Sequence, residues 1–325
     1  MLNKNSKIFL AGHNGLVGGA IFKKLTNKEK ILSEKLQKQK KVDIKFKPIK
    51  GADHFYENYT EEFSNIVESY IKDSLKSLTN ISKKVRLNSL AKVIAITGSC
   101  GKTSLKELLG NIFGKISKVS YSPKSYNNKY GVPLSLFNLD QKNNYGVLEI
   151  GMDKKGEIDY LSKIVKPDVS VITNISYAHA KNFKNLKQIA LAKSEIINNT
   201  KINGFIVLNS DDNFYTLHKK IANKRKLKIL SFGIDNQNAN IKLVSIKKFS
   251  NKFKATIRVN NLKTYFFISN NFQSNILNIL AALSVMSIFL DISKLKKNIF
   301  ISFKTPNGRG HITKIKIDNK KLNLI

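Results

Sequence analysis

The chain has 325 residues, of which 42% are apolar, and this allows roughly two or three domains with at least one substantial core. A disordered or fibrous protein is therefore excluded. The single cysteine, Cys100, and five histidines without paired ligand spacing exclude a disulfide scaffold and a cysteine-based zinc module. Such residue usage is typical of a protein of the reducing cytoplasm, which is the location we expect.

The formal net charge of +35 raises the question of a nucleic-acid partner, because clustered cations neutralise phosphates. Only four of the 57 lysines and arginines are arginine, the residue favoured for bidentate phosphate and guanine contacts. The lysines are spread through every segment of the chain. Biased overall composition explains this distribution better than a nucleic-acid surface does, so we expect no nucleic-acid partner.

No apolar run reaches the roughly 18 residues that a membrane span needs. The longest candidate, Ile276–Leu290, is interrupted by Asn278 and two serines, and it predicts a buried helix. An apolar stretch also begins at Ile8, but glycines at turn spacing follow it and no small-residue cleavage site does. We therefore expect neither a membrane span nor export.

The first 85 residues contain two short stretches with different resemblances. Lys7–Leu10 and the glycines of Gly12–Gly18 predict a strand, a turn and a helix start, and they resemble the opening of the NAD(P)-dependent epimerase and GDP-fucose synthase family. The charged stretch Lys28–Lys41 lacks the second strand and the ribose-binding acid of that fold. Ile49–Ile71, with His54, resembles the C-terminal part of α/β-hydrolases, but the chain has no G-x-S-x-G nucleophile elbow. We interpret this region as a mosaic with a partial Rossmann-like start and no functional site of its own.

From Lys92 onward, strand and helix patterns alternate. A β-branched strand at Lys92–Thr97 is followed by a glycine-rich turn, Gly98–Ser104, and by apolar residues at helical spacing. The alternation continues with strands at Tyr145–Ile150, Asp168–Ile175, Phe205–Asn209 and Lys228–Phe232, and with helices at Gly156–Val165, Leu186–Asn198 and Asn213–Ala222. This order predicts an α/β fold with a mainly parallel sheet flanked by helices. From Ile241 to Ser269 the period shifts to two, which predicts a small antiparallel ribbon before a helix at Phe272–Leu290.

The glycine-rich turn predicts a phosphate-binding loop, and its residues are Gly98, Ser99, Cys100, Gly101, Lys102, Thr103 and Ser104. The glycines let backbone N–H groups approach the phosphates of a nucleotide. Lys102 supplies positive charge near the β and γ phosphates, and the Thr103 hydroxyl suits Mg²⁺. We interpret Cys100 as an incidental substitution, since no histidine lies near it in sequence, although a partner from elsewhere in the chain stays open.

Further motifs follow in a fixed order: Asn127–Leu134, Leu148–Met152, Gly156–Ile158, Pro167–Val169, Thr173–Ile175 leading to Ala178-His179, Ala192–Ile196, Leu208–Asp212, Asn275–Ala282 and Gly308–Gly310. Together with the phosphate loop, this series resembles the central domain of the Mur ligases and covers about residues 91–325. The resemblance implies a P-loop ATP-binding domain over residues 86–311. It also implies that residues 312–325 begin a linker to a C-terminal domain that this chain does not include.

The resemblance implies an ATP-dependent ligase of peptidoglycan precursor synthesis, which forms an amide bond through an acyl phosphate. The implied substrates are UDP-MurNAc-tripeptide and D-Ala-D-Ala, and the implied cofactors are ATP and two Mg²⁺ ions. Because the substrate carboxylate and the γ-phosphate are both anions, cations and metal ions carry much of such catalysis. We expect a monomer with little activity by itself, since the family's UDP-recognition domain and its closing domain are not recognisable here.

Catalytic roles fall, by the same resemblance, on Lys102, Glu149, His179 and Lys193. Thr103 and Glu149 are assigned to one Mg²⁺ and His179 to the second. Lys193 is expected to be carboxylated by CO₂ to a carbamate that helps to hold the second ion. Taken singly, Glu149 is equally a strand-end cap, His179 a loop histidine and Lys193 an exposed helix residue.

Five further residues match binding positions of the family. Asn275, Asn278 and Arg309 match positions that contact adenine and ribose or phosphate. The histidine that usually precedes the first of these in the family is absent here, which leaves the base contacts open. Asn127 and Asn128 match the substrate-facing loop, although an asparagine pair before a helix is equally a cap and turn signal.

Three alternatives stay open at this point. The chain is another Mur ligase or a folylpolyglutamate synthase, a nucleotide-binding protein without catalysis, or an NAD(P)-dependent oxidoreductase. The last alternative depends on Gly12–Gly18 alone.

Overall fold

The computed structural model describes residues 7–10, 21–24, 75–177, 182–303, 313–317 and 320–324 of the chain. By its contacts the chain divides into two compact units, Met1–Ser74 and Leu75–Ile325. A helix over residues 75–88, α1, therefore belongs to the second unit, although it precedes the predicted boundary near residue 85. The finer domain limits stay predictions.

Each unit contains one two-stranded antiparallel pair. In the first unit, β1 (Lys7–Leu10) pairs with β2 (Ile21–Lys24), so the strand predicted at residue 7 is present. Residues 21–24, for which the sequence predicts no element, are extended because backbone hydrogen bonds join them to β1. Gly12–Gly18 and His54 lie outside the described residues. The stretch expected to begin a linker contains the other pair, Thr313–Ile317 with Lys320–Leu324.

The second unit is built on a nine-stranded sheet. Its strands are β3 Lys92–Thr97, β4 Val119–Tyr121, β5 Tyr145–Glu149, β6 Val169–Ile172, β7 Phe205–Asn209, β8 Lys228–Gly233, β9 Ile241–Phe249, β10 Lys252–Val259 and β11 Leu262–Ile268. They lie in the order β11-β10-β9-β8-β7-β6-β3-β5-β4. Neighbours from β4 to β9 run parallel, and β9, β10 and β11 run antiparallel. The predicted α/β sheet is confirmed, and the ribbon is a continuation of it through the pairing of β8 with β9.

Helices flank this sheet, as the alternation predicts. They are α2 Lys102–Gly114, α3 Gly131–Phe137, α4 Glu157–Val165, α5 Leu186–Asn199, α6 Tyr215–Lys224 and α7 Gln273–Met286. α1, α3 and β4 are additions to the predicted elements. β4 has three residues and α3 has seven, which is too few to show a clear period in the sequence.

Two apolar clusters form the core, one on each face of the sheet. α2 and α7 pack in the first cluster, where Leu105, Leu109 and Leu280 are fully buried. α4 and α5 pack in the second, with Ile158 and Ile196 fully buried. The helix predicted to be buried near residues 276–290 is α7. No described helix is long and apolar enough to cross a membrane.

Parallel strands bring distant chain segments to one edge of the sheet. β3, β5, β6 and β7 run in the same direction, so their carboxyl ends lie along that edge. In register, Ile96 is opposite Glu149 and Thr97 is opposite Ile172. Ligands of open parallel sheets bind beyond the carboxyl edge. The glycine-rich loop leaves β3 at this edge, and the site is built around it.

Candidate functional site

The loop between β3 and α2 makes two close approaches that only glycine allows. Gly98 has a φ of +142° and Gly101 a φ of +83°. A Cβ at Gly98 would lie 1.9 Å from Thr173 Oγ1, and one at Gly101 would lie 2.9 Å from Asn278 Oδ1. The backbone therefore passes directly against two side chains while it turns into α2. This strand, glycine turn and helix start is the arrangement that the sequence predicts.

The segment that follows β6 fixes the conformation of this loop. Ser99 N donates to Asn174 O at 2.9 Å, and Ser99 Oγ donates to Ser176 O at 2.9 Å. Cys100 N donates to Asn174 Oδ1 at 2.9 Å, and Thr173 Oγ1 donates to Cys100 O at 2.6 Å. The loop is thus held in one shape by residues far away in sequence. No site role was predicted for these residues from the sequence, although their position just beyond β6 is a signal that could have found them.

Two lysines meet at one carbonyl oxygen of the loop. Lys102 Nζ donates to Gly98 O at 2.8 Å, and Lys193 Nζ, from α5, donates to the same oxygen at 2.9 Å. Lys193 is 1% exposed. Desolvation by burial and then the positive charge of Lys102 lower the pKa of Lys193 to about 7, against an opposite effect of Cys100. Lys193 is therefore partly neutral near pH 7, and the alternative of an exposed helix lysine is wrong.

Glu149, the last residue of β5, lies buried beside the first turn of α2. Thr103 Oγ1 donates to its Oε2 at 2.7 Å, and Asn127 Nδ2 donates to its Oε1 at 2.7 Å. The carboxylate is 1% exposed, so it is not a solvated strand-end cap. Thr103 and Glu149 supply the oxygen ligands that Mg²⁺ prefers, and Mg²⁺ commonly takes one or two carboxylates plus substrate phosphates. Within the described part of the chain, no three His, Cys, Asp or Glu residues form a metal-binding group.

The two asparagines of the predicted substrate loop have different positions. Asn127 contacts Glu149, whereas Asn128 Oδ1 accepts hydrogen bonds from Tyr130 N at 3.1 Å and Gly131 N at 2.9 Å. Asn128 is therefore the turn residue that leads into α3. The sequence left both interpretations open for the pair, and the turn interpretation is confirmed for Asn128. Contact with a substrate stays a prediction for both.

The first turns of α7 border the loop. Asn278 is buried and lies against Gly101, while Asn275 is buried and its Nδ2 donates weakly to Asn270 O at 3.4 Å. Ser104, in the first turn of α2, is also buried. His179 and Arg309 lie outside the described residues, so their predicted roles stay predictions.

Cys100 is exposed in the loop, and its thiol has a hydroxyl as neighbour. Its Sγ lies 3.8 Å from Ser176 Oγ. A hydroxyl does not activate a thiolate as a histidine does. Because Cys100 also interacts electrostatically with Lys193, the alternative of a partner from elsewhere in the chain stays open.

One buried polar atom at the site has no partner. Among the described residues, Thr97 Oγ1 is the buried side-chain polar atom without a hydrogen bond. Thr97 ends β3 directly before Gly98. Most buried polar groups are satisfied, so an unsatisfied one at this edge is compatible with a bound group that the structure does not contain.

A parallel sheet, a glycine loop at its carboxyl edge, and a threonine–glutamate pair beside a lysine together define a P-loop nucleotide-binding α/β protein. Comparison with known families agrees with this class and narrows it. The sequence model of the Mur ligase middle domain matches residues 96–286, which is more than half of the chain. The chain belongs to the Mur ligase family.

Individual proteins of this family are similar to the chain in sequence and in structure. The UDP-N-acetylmuramoyl-tripeptide–D-alanyl-D-alanine ligase of Buchnera aphidicola from Acyrthosiphon pisum is 38% identical over 191 residues, which is 58% of this chain and 39% of that protein. The structure of MurF from Acinetobacter baumannii matches with a TM-score of 0.69 at 27% identity, covering 77% of this chain and 54% of that one. MurF ligase from Thermotoga maritima, solved in complex with ADP, matches with a TM-score of 0.67 at 29% identity, covering 74% and 55%. The chain spans about half the length of the relatives it matches.

Proposed function

We propose that this chain provides the ATP-binding and amide-forming centre of a ligase that joins D-Ala-D-Ala to UDP-MurNAc-tripeptide. The names of its relatives supply the substrates, since they are UDP-N-acetylmuramoyl-tripeptide–D-alanyl-D-alanine ligases. The observation that carries the proposal is the Glu149 carboxylate, buried between Thr103 and Asn127 at the phosphate loop. A buried carboxylate at this point suits a Mg²⁺ ion that neutralises the phosphates of the bound nucleotide.

The first half of the reaction brings two anions together. The substrate carboxylate attacks the γ-phosphorus of ATP, the bond to the β–γ bridging oxygen breaks, and ADP leaves as an acyl phosphate forms. The N–H groups of the loop and the ammonium of Lys102 offset the phosphate charge. In the second half the amine of D-Ala-D-Ala attacks the acyl carbon, loses a proton and expels phosphate. The chain's contribution is to orient the phosphates and to neutralise charge.

The residues at the loop fit a divalent cation. Thr103 and Glu149 would hold one Mg²⁺, which when bound neutralises phosphate charge. We assign His179 and a carbamylated Lys193 to a second ion by resemblance to the family. The lowered pKa of Lys193, about 7, supports the carbamate, because a neutral amine is the form that reacts with CO₂. The unpartnered Thr97 Oγ1 at the same edge also supports a bound group.

Nucleotide titration of the purified chain tests the first part of the proposal. Lys102→Ala should weaken Mg-ATP binding by about 10- to 100-fold, the effect of one lost charge-assisted hydrogen bond. Lys92→Ala is the matched control, since Lys92 is exposed at the opposite end of β3. ATP affinity that is equal in both variants and in the original chain would overturn the assignment of the loop.

A product assay tests the second part. With ATP, UDP-MurNAc-tripeptide and D-Ala-D-Ala together, the chain should release ADP slowly and form a small amount of the amide, which mass spectrometry detects. Omitting either substrate should stop amide formation. ATP binding without amide formation under complete conditions would contradict the ligase proposal and favour a nucleotide-binding protein.

A further inference from the structure

Lys106 is a fully buried cation one turn beyond Thr103 on α2. It is 0% exposed, and its Nζ donates to Ser122 O at 2.6 Å and to Lys124 O. The carboxylate of Glu107 lies 2.7 Å from the same nitrogen. A buried ammonium is unfavourable unless it is paired and hydrogen-bonded. Two of its three oxygen partners are the backbone carbonyls of residues 122 and 124, so the contact with this backbone accounts for its burial.

The backbone that Lys106 holds belongs to a segment, residues 122–127, that connects β4 toward α3. Lys124 in this segment has a φ of +44°, a left-handed conformation that is unfavourable for a residue with a Cβ. Its carbonyl is one of the two oxygens bound by Lys106. The buried ammonium thus stabilises a backbone shape that the segment would not favour by itself.

Both ends of the 122–127 segment contact Glu149. At one end, Glu149 N donates to Ser122 Oγ at 3.2 Å. At the other end, Asn127 Nδ2 donates to Glu149 Oε1 at 2.7 Å. The shape of the segment therefore helps to set where the Asn127 amide lies, together with the hydrogen bond that Gly151 N donates to Asn127 O at 2.8 Å.

Residues of α2 are therefore connected to Glu149 by two routes of hydrogen bonds. The direct route is the hydrogen bond from Thr103 to Glu149 Oε2. The indirect route runs from Lys106 through the 122–127 segment to Asn127 and then to Glu149 Oε1. Partners of this kind, one step removed from a metal ligand, orient it and affect metal affinity.

We infer that Lys106 is a positioning residue: its buried ammonium holds the 122–127 segment so that Asn127 fixes the Glu149 carboxylate beside Thr103. The inference depends on the proposed function, in which Thr103 and Glu149 hold Mg²⁺. Lys106 would contact neither the nucleotide nor the metal. Its loss should weaken divalent-cation binding and leave the phosphate loop unchanged.

The test compares nucleotide binding with and without the metal. ADP is titrated into the full chain and into Lys106→Met, once with Mg²⁺ and once with EDTA. In Mg²⁺ the variant should bind ADP about 10- to 100-fold more weakly, the usual effect of losing a partner one step removed from a ligand. In EDTA its affinity should be unchanged, since the loop is intact. Lys115→Met is the control, because Lys115 is a lysine at the other end of α2 with an exposed contact to Ser302.

Two results would overturn the inference. In the first, Lys106→Met gains as much ADP affinity from Mg²⁺ as the original chain does. In the second, Lys106→Met loses ADP affinity equally in Mg²⁺ and in EDTA, which means general damage to the loop. Failure of the proposed function is a separate outcome, because then the original chain itself would show no Mg²⁺-dependent nucleotide binding.

A double-variant cycle separates positioning from simple stabilisation. If Lys106 acts through Asn127, adding Lys106→Met to Asn127→Ala should cause no further loss of the Mg²⁺ effect, whereas independent roles give additive losses. Hydrogen exchange should also be faster over residues 122–127 of Lys106→Met and unchanged over α4.

Lys106→Arg is measured alongside, since it keeps a buried cation but moves its donors. It should lose part of the increase in ADP affinity that Mg²⁺ causes. Wild-type behaviour of Lys106→Arg with an unfolded Lys106→Met would overturn the inference.

Discussion

Lysines surround the phosphate loop and also line the antiparallel ribbon, but their environments differ. At the loop, the amines of Lys102 and Lys193 are buried and donate to Gly98 O. On the ribbon, Lys252 Nζ lies 3.9 Å from the centroid of the Phe267 ring, and Lys254 Nζ lies 4.3 Å from that of Tyr265. The ribbon lysines cover aromatic rings, whereas the loop lysines are desolvated at a common backbone oxygen. Because the chain has a net charge of +35, the number of lysines in a region does not identify candidate functional cations. The burial of each amine and the group that it contacts do.

The largest expected difference between the two regions is in turnover. Under the proposed function, Lys193→Ala should reduce ADP release under complete ligase conditions by about 10²- to 10³-fold, because it removes the group assigned to charge stabilisation at the phosphates. Lys254→Ala should leave the rate unchanged. Circular dichroism checks that both variants are folded, and short carboxylic acids should partly restore Lys193→Ala if they replace the proposed carbamate. Equal rates in the two variants would contradict the comparison.

Backbone conformation gives a second difference. Gly98 has a φ of +142° and no room for a Cβ, whereas a ribbon turn holds Ser250 at a φ of +56° with its side chain in place. Gly98→Ala should lower the free energy of unfolding by about 1–3 kcal/mol and abolish tight nucleotide binding, because the loop must move away from Thr173. Ser250→Ala should change neither quantity. Urea denaturation and nucleotide titration measure both, and a tight-binding Gly98→Ala would disprove the close-approach argument.

A buried histidine extends the comparison to stability. Burial lowers the pKa of His218, whose Nε2 lies 3.1 Å from Ala190 O. The unfolded chain takes up a proton near pH 6.5, while the folded chain does so only at lower pH. The free energy of unfolding should therefore fall as the pH drops from about 7 to about 5.5, with a slope of at most about 1.4 kcal/mol per pH unit. His218→Gln should flatten this part of the urea-denaturation profile, and an unchanged profile would show that another group is responsible.

The smallest expected effect belongs to the ribbon. Lys252→Ala removes the cation that lies over Phe267, and it should lower the free energy of unfolding by about 0.5–1 kcal/mol. Nucleotide affinity should remain unchanged, because the ribbon is separated from β3 by three other strands of the sheet. A measurable loss of affinity in this variant would mean that the two regions are coupled.

Local patterns were sufficient for much of the fold. The β-branched run Lys92–Thr97 and the apolar run Phe205–Asn209 are strands with the predicted bounds, because buried parallel strands need continuous apolar residues. Sequence patterns did not predict elements of only three or four residues. The strand Ile21–Lys24 was not predicted, and the three residues of β4 show no period. Pairing with a distant strand decides such short elements.

The candidate site likewise has a part that the sequence predicts and a part that it does not. The sequence by itself determined the glycine loop with Lys102 and Thr103, since φ values above zero, a cation and a hydroxyl are required at fixed spacing within one turn.

Only the tertiary structure decided that Asn127 rather than Asn128 contacts Glu149, that Lys193 shares Gly98 O with Lys102, and that Lys106 is buried. These facts depend on which strands lie side by side and how far each side chain is removed from water. Contacts between residues distant in sequence set both, and no local pattern records them.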